Sequence, residues 1–205
     1  MIASDTTAPA TGRAVRPRRG RAKATLVVAL IVFAAVGALV WFLSSSDRVT
    51  QSSPSAASAD TSVPGVAPRI VSTETLRRLA RANGRPLYWA GLRPATRIEY
   101  TRKTDGTTFV RYLTGNAKAG DPSAGYVVVA TYSQPDAYAR VSAIASRAHL
   151  AEKPLADGGI ALTRPGRPQN IYLVYPKLPY QIEVYAPTAE RARRLVFAGA
   201  IEPVR

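Results

Sequence analysis

Cysteine is absent from the 205 residues, histidine and methionine occur once each, and 13 acids face 28 lysines and arginines. The lack of cysteine excludes disulfides, thiolate zinc sites, a cysteine nucleophile and a lipidated cysteine anchor. Any fold must therefore be held by its core, which a domain of about 140 residues achieves by burying roughly two-thirds of its unfolded surface. The single histidine, His149, falls near the end of a predicted helix, where a cation or a solvated ring is the ordinary role. Also missing are G-x-S-x-G, the Walker glycine loop, H-E-x-x-H and the dinucleotide fingerprint. Gly158-Gly159 and Pro165-Gly166 read as turns rather than phosphate cradles. The sparse acids show no spacing that proposes a general acid and base; a pair such as Glu99 and Glu183 would have to meet through the fold. The sequence thus names no catalytic residue, no cofactor-binding residue and no metal ligand, and it calls for no cofactor.

Charge is missing altogether from Ala24 to Leu43, a run of 20 residues. As a helix this run spans roughly 30 Å, the thickness of a hydrocarbon core. Trp41 and Phe42 stand at its far end, where aromatic rings favour the headgroup zone. Residues 1–23 carry six bases against Asp5, whereas Arg48 is the only base in residues 24–68. The positive-inside rule then predicts a single-pass membrane protein with its N-terminus in the cytoplasm and its C-terminal domain outside. A cleaved signal peptide, giving a secreted protein, is the rival reading; against it, an h-region is usually about 7 to 15 residues. The small-residue site Ala57-Ser58-Ala59 lies well beyond the apolar run.

Four segments follow. Residues 1–23 form a disordered basic tail suited to anionic headgroups. Residues 24–43 form the transmembrane helix, through which the lipid bilayer is the first partner. Residues 44–68, rich in serine and proline, read as a tether whose ends lie about 25 to 30 Å apart. Residues 69–205 form the folded domain, whose 21 bases and 10 acids leave it at +11.

Within that domain, Ser72 caps a helix to about Ala82, ended by Asn83-Gly84. Arg97–Lys103 and Thr107–Thr114 flank Asp105-Gly106, a strong hairpin signal. A two-residue turn places Ile98, Tyr100, Phe109 and Leu113 on one face and Glu99, Thr101, Val110 and Tyr112 on the other, with Arg111 opposite Tyr100. Tyr126–Tyr132 is apolar on both faces and reads as a covered central strand. Ser133 caps a second helix with Pro135 in its first turn and apolar Tyr138, Val141, Ile144 and Ala145. Strands at Ile160–Thr163, Ile171–Tyr175 and Gln181–Tyr185 come next, then a helix from Pro187 to near Gly199. The expected fold is α+β, with helices packed on one face of a mainly antiparallel sheet. The order α-βββ-α-βββ-α suggests an internal duplication at a constant offset of 62, which sets Ile98, Thr101, Arg102 and Phe109 on Ile160, Thr163, Arg164 and Ile171. Tyr132 and Pro135 then correspond to Tyr185 and Pro187.

Five residues stand out as a candidate binding surface: Arg85, Tyr88, Trp89, Arg102 and Arg111. Arginine beside Tyr and Trp between Gly and Pro punctuation suits an aromatic and cationic recognition surface. Core plugging by Tyr88 and Trp89, and snorkelling by the arginines, is the plainer account. The run Tyr88-Trp89-Ala90-Gly91, with Tyr100-Thr101-Arg102, Asp105-Gly106, Val110-Arg111-Tyr112-Leu113 and Tyr180-Gln181-Ile182-Glu183-Val184-Tyr185, resembles a family of uncharacterised actinobacterial membrane-anchored or secreted proteins. The resemblance covers the domain from about Gly84 onward and implies a cell-envelope location. It brings no activity, substrate or binding residue.

The functional expectation is a membrane-tethered extracytoplasmic module, not an enzyme, that binds an envelope protein or an anionic envelope polymer. An envelope enzyme whose acids converge only in the fold is the alternative. No nucleic acid is expected as a partner in that compartment.

Overall fold

The structure, a computed structural model, describes residues 64–205. The basic tail, the apolar run and most of the tether lie outside the described residues. Among those described, no helix is long and apolar enough to cross a membrane.

The domain opens with strand β1 (Val66–Val71), so regular structure begins inside the stretch expected to be tether. Ser72 then caps helix α1 (Thr73–Ala82), its hydroxyl accepting from the Thr75 amide at 3.1 Å. This satisfies one of the orphan donors that every helix start leaves. Leu76 is the one residue of α1 that is fully buried. A two-residue strand β2 (Tyr88–Trp89) precedes the hairpin of β3 (Thr96–Arg102) and β4 (Thr108–Thr114).

That hairpin pairs one residue out of the expected register. Lys103 donates to Thr107 O at 2.8 Å and Gly106 donates to Lys103 O at 3.0 Å. The loop is therefore Thr104-Asp105-Gly106, with Gly106 at φ +81. A three-residue loop with a left-handed glycine is the type I plus bulge solution, chosen here over the tighter two-residue turn. The Asp105 carboxylate helps by accepting from the Thr107 amide at 2.8 Å. The consequence runs along the whole strand, because a slip of one residue exchanges its faces. Glu99, not Tyr100, lies opposite Arg111, and Ile98 and Tyr100 share their face with Val110 and Tyr112.

After β5 (Val127–Ser133) comes helix α2 (Ala137–Arg147). Its cap is Asp136 at φ +56 rather than Ser133, and Pro135 falls in the turn ahead of the helix. Strands β6 (Glu152–Pro154), β7 (Ile160–Arg164), β8 (Arg167–Val174) and β9 (Tyr180–Tyr185) follow. Helix α3 (Ala189–Phe197), capped by Thr188, and β10 (Glu202–Pro203) close the domain.

Eight strands form one antiparallel sheet in the order β1-β3-β4-β5-β9-β8-β7-β6, and β2 pairs with β10 separately. The fold is α+β, with three helices on this sheet. The helices do not share one face. Leu76 of α1 and Ala192, Leu195 and Val196 of α3 join a core with Ile98, Tyr100, Val110, Val129, Ile171, Leu173, Ile182 and Val184. The cross-strand register puts all of those strand residues on one side of the sheet, here face A. The buried residues of α2, namely Ala137, Val141 and Ala145, lie outside that core, and α2 packs on β8 and β9 from face B. The physical reason was present in β5: a central strand apolar on both sides needs a cover on both.

The sheet order is palindromic about the β5/β9 seam, with four strands on each side, β1-β3-β4-β5 and β9-β8-β7-β6. Following the registers outward from Ala130 opposite Glu183 sets Phe109 against Tyr172 and Thr101 against Leu162. The constant offset of 62 misses these by one residue and would pair residues from opposite faces.

Candidate functional site

Face B gathers the buried polar side chains larger than threonine: Glu99, Arg111, Asn170, Gln181 and Glu183. Two clusters result. In the first, Arg111 Nη1 donates to Glu99 Oε1 at 2.7 Å, and Arg111 Nη2 donates to Asp121 O at 2.7 Å. The other Glu99 oxygen accepts from the Gly120 amide at 2.5 Å, and the Arg111 guanidinium lies 5.2 Å from the Tyr126 ring centre. Arg97 adds bonds to Gly115 O and Ala117 O, and Tyr185 donates to Ala124 O at 2.8 Å. These groups clamp the loop of residues 115–126 over face B.

In the second cluster, Glu183 is 1% exposed and accepts from Tyr132 at 2.7 Å and from Asn170 at 2.5 Å. Burial pushes the Glu183 carboxyl above its ordinary value, opposed by hydrogen bonds from Tyr132, Asn170 and Tyr172. The same burial and the Glu183 carboxyl raise Tyr132 and Tyr172. A carboxyl with a raised pKa suits acid chemistry when a substrate can reach it. Here three bonded neighbours fill its surroundings, and Glu183 lines none of the three cavities described below.

The two buried carboxylates share a face but do not meet. Glu99 and Glu183 are three strands apart and two residues out of line. With strands about 4.8 Å apart and about 3.4 Å of rise per residue, that places them roughly 16 Å from each other. Paired carboxylates that cleave glycosidic bonds stand about 5 to 9.5 Å apart.

The five residues singled out in the sequence do not form one surface. Tyr88 and Trp89 are 7% and 6% exposed and belong to the face A core. Arg111 lies on face B, consumed by Glu99. Arg102 ties two segments together, donating to Pro64 O at 2.9 Å and to Asn83 Oδ1 at 3.2 Å. Arg85 is exposed, its guanidinium beside the Gly106 turn. Arg85 and Arg102 therefore flank the same end of the hairpin, while the aromatic pair serves the core.

Three cavities were not foreseen from the sequence. The first, about 420 Å³, lies along α3 and is lined by Arg93, Thr188, Glu190, Arg191 and Arg194 over a floor of Val127, Leu195, Ala198 and Ala200. The loop bearing Arg93 is held by Tyr112, which accepts from the Ala90 amide at 2.6 Å and donates to Gly91 O at 3.1 Å. Burial pushes that phenol up to about 12. Arg194 pairs with Glu190 one turn away, whereas neither Arg93 nor Arg191 has an ion pair among the described residues. Arg93 Nε is shut off from solvent and has no hydrogen-bond partner among the described residues.

A second cavity, about 320 Å³, lies on the other flank of α3, among Leu155, Asp157, Leu173, Tyr175, Val196 and Phe197. Tyr175 donates to Asp157 and is raised by burial and by that carboxylate. Gly159 is required here, since a Cβ would stand 2.5 Å from the Tyr175 ring. The third, about 350 Å³, opens between the start of α2 and the β8–β9 turn.

Comparison with family models, with curated proteins and with solved structures found no match. The functional reading therefore rests on this geometry.

Proposed function

We propose that this chain is a single-pass membrane protein whose outer domain is a binding module for an anionic polymer of the cell envelope. The observation that carries the reading is the helix layer of face A. Arg77, Arg78 and Arg81 of α1 and Arg191, Arg193 and Arg194 of α3 are all exposed, against Glu74 and Glu190 as the acids of those helices. Each helix buries its apolar stripe in the same core, so both present arginines on the outer side of one layer. Arginine forks match phosphate and carboxylate geometry better than lysine does.

The anchored location is supported by the apolar run Ala24–Leu43 and the basic tail ahead of it. The resemblance to envelope proteins supports it too. The two halves of the sheet, arranged symmetrically about the β5/β9 seam, support an origin by duplication.

Long-chain polyphosphate serves as the probe. The full chain in phosphatidylcholine nanodiscs should bind it with an affinity that falls as salt rises. Glutamine at Arg77, Arg78 and Arg81, or at Arg191, Arg193 and Arg194, should weaken binding roughly tenfold or more. Equal binding by both triple variants would overturn the assignment to this layer. A reporter active only outside the cytoplasm, fused after Arg205, checks the location; an inactive fusion would reverse it.

A further inference from the structure

We infer that the cavity along α3 is a site for an anionic amphiphile, with the headgroup phosphate or carboxylate between Arg93 and Arg191 and the hydrocarbon on the floor. This deepens the anion-binding reading and rests on it for the sign of the ligand.

Two observations converge, the charge of the rim and the apolar floor. The rim has a formal charge of +2, from Arg93, Arg191 and Arg194 against Glu190. The Glu190–Arg194 pair cancels within the rim, so the excess sits on Arg93 and Arg191. Arg93 Nε is shut off from solvent, so an anion in the cavity meets this guanidinium through its terminal nitrogens. Thr188 and Ala198, the two caps of α3, both line the cavity, so the positive charge comes from the arginine side chains and not from the helix dipole.

The floor decides what kind of anion fits. Val127, Leu195, Ala198 and Ala200 are apolar and give an inorganic ion nothing to bond. They cover a short hydrocarbon chain well, and each methylene removed from water contributes about 0.8 kcal/mol. A volume of about 420 Å³ falls in the range of small-ligand sites. The other two cavities argue less: the Asp157–Tyr175 pair supplies its own bonding, and the cavity by α2 has a single basic residue, Lys177.

The test uses hexyl phosphate, which stays monomeric in water, with inorganic phosphate and hexanol as partial ligands. The full chain in phosphatidylcholine nanodiscs is titrated calorimetrically against empty nanodiscs. Saturable one-to-one binding is expected, at least tenfold tighter than either partial ligand. The double variant Arg93→Gln/Arg191→Gln should weaken it at least tenfold. Ala198→Trp, at an exposed position, should abolish it by filling the cavity without changing charge. Inorganic phosphate binding as tightly as hexyl phosphate would reduce the site to a simple anion site and overturn the amphiphile. Undiminished binding by Ala198→Trp, or heats equal to those of empty nanodiscs, would overturn the site itself. Polyphosphate binding should survive Ala198→Trp, so loss of the cavity and loss of the arginine layer give separate readouts.

Discussion

The two faces of the sheet are held by different physics. Face A is apolar from β3 to β7, and its buried polar residues are the threonines Thr108 and Thr131. Face B buries Glu99, Arg111, Asn170, Gln181 and Glu183 among its apolar residues. An apolar contact contributes in proportion to area and tolerates small shifts. A buried polar group contributes only while its partners are in place, and costs free energy otherwise. Face A therefore supplies stability, while face B specifies which loop lies on it. Glu99 and Arg111 illustrate this, since their bonds run to Gly120 and Asp121 of the covering loop.

Breaking one partner on face B should have the largest effect. Arg111→Met leaves the Glu99 carboxylate buried and unpaired, and should cost about 3 to 5 kcal/mol in urea unfolding. The double variant Glu99→Leu/Arg111→Met should recover most of that loss, because no charge remains buried. If the two changes simply add, face B is stabilised by its ion pair in the same additive way as face A by its apolar contacts. On face A, Leu173→Ala should cost about 3 kcal/mol from lost burial and a cavity. No second substitution of a partner should restore it.

A smaller effect separates the faces by pH. Glu183 has a folded pKa raised above the unfolded 4.5, so the folded state holds its proton more tightly. Stability from this group is therefore greatest below that unfolded value and falls as pH rises through the folded one. Glu183→Gln should remove that fall, measured as the difference between variant and parent melting temperatures from pH 4 upward. A parent whose stability rises across the same window, relative to the variant, would reverse the assignment.

Sequence reasoning recovered what depends on local chemistry. Ser72 and Asn83-Gly84 bound α1, and strands β3, β4, β5, β7 and β9 lie where alternation and turn residues place them. Register was missed where two turn solutions compete over the same Asp105-Gly106, since the choice depends on which faces the rest of the sheet covers. The start of α2 was missed because Asp136, not Ser133, occupies its cap in a left-handed conformation. Short strands such as β2, β6 and β10 exist through pairing alone and carry no period to read.

Of the candidate site, the arginines of α1 and α3 were visible as net charge without location. Arg93 carried no signal, because its role comes from a cavity shared with a helix nearly 100 residues further along the chain. Arg111 was visible as a residue but misread as surface, since its partner Glu99 depended on the register.

An open eight-stranded sheet leaves two rows of unpaired backbone groups, one along β1 and one along β6, and such rows recruit strands from other copies of a chain. Both rows are blunted. β1 carries Pro68 and Arg69 at an irregular register between Val66 and Arg69, and β6 is three residues long and reads Glu-Lys-Pro. Prolines interrupt the donors at each edge, and charges make a neighbouring strand costly. Copies of this domain brought close together would thus stay separate through these edges.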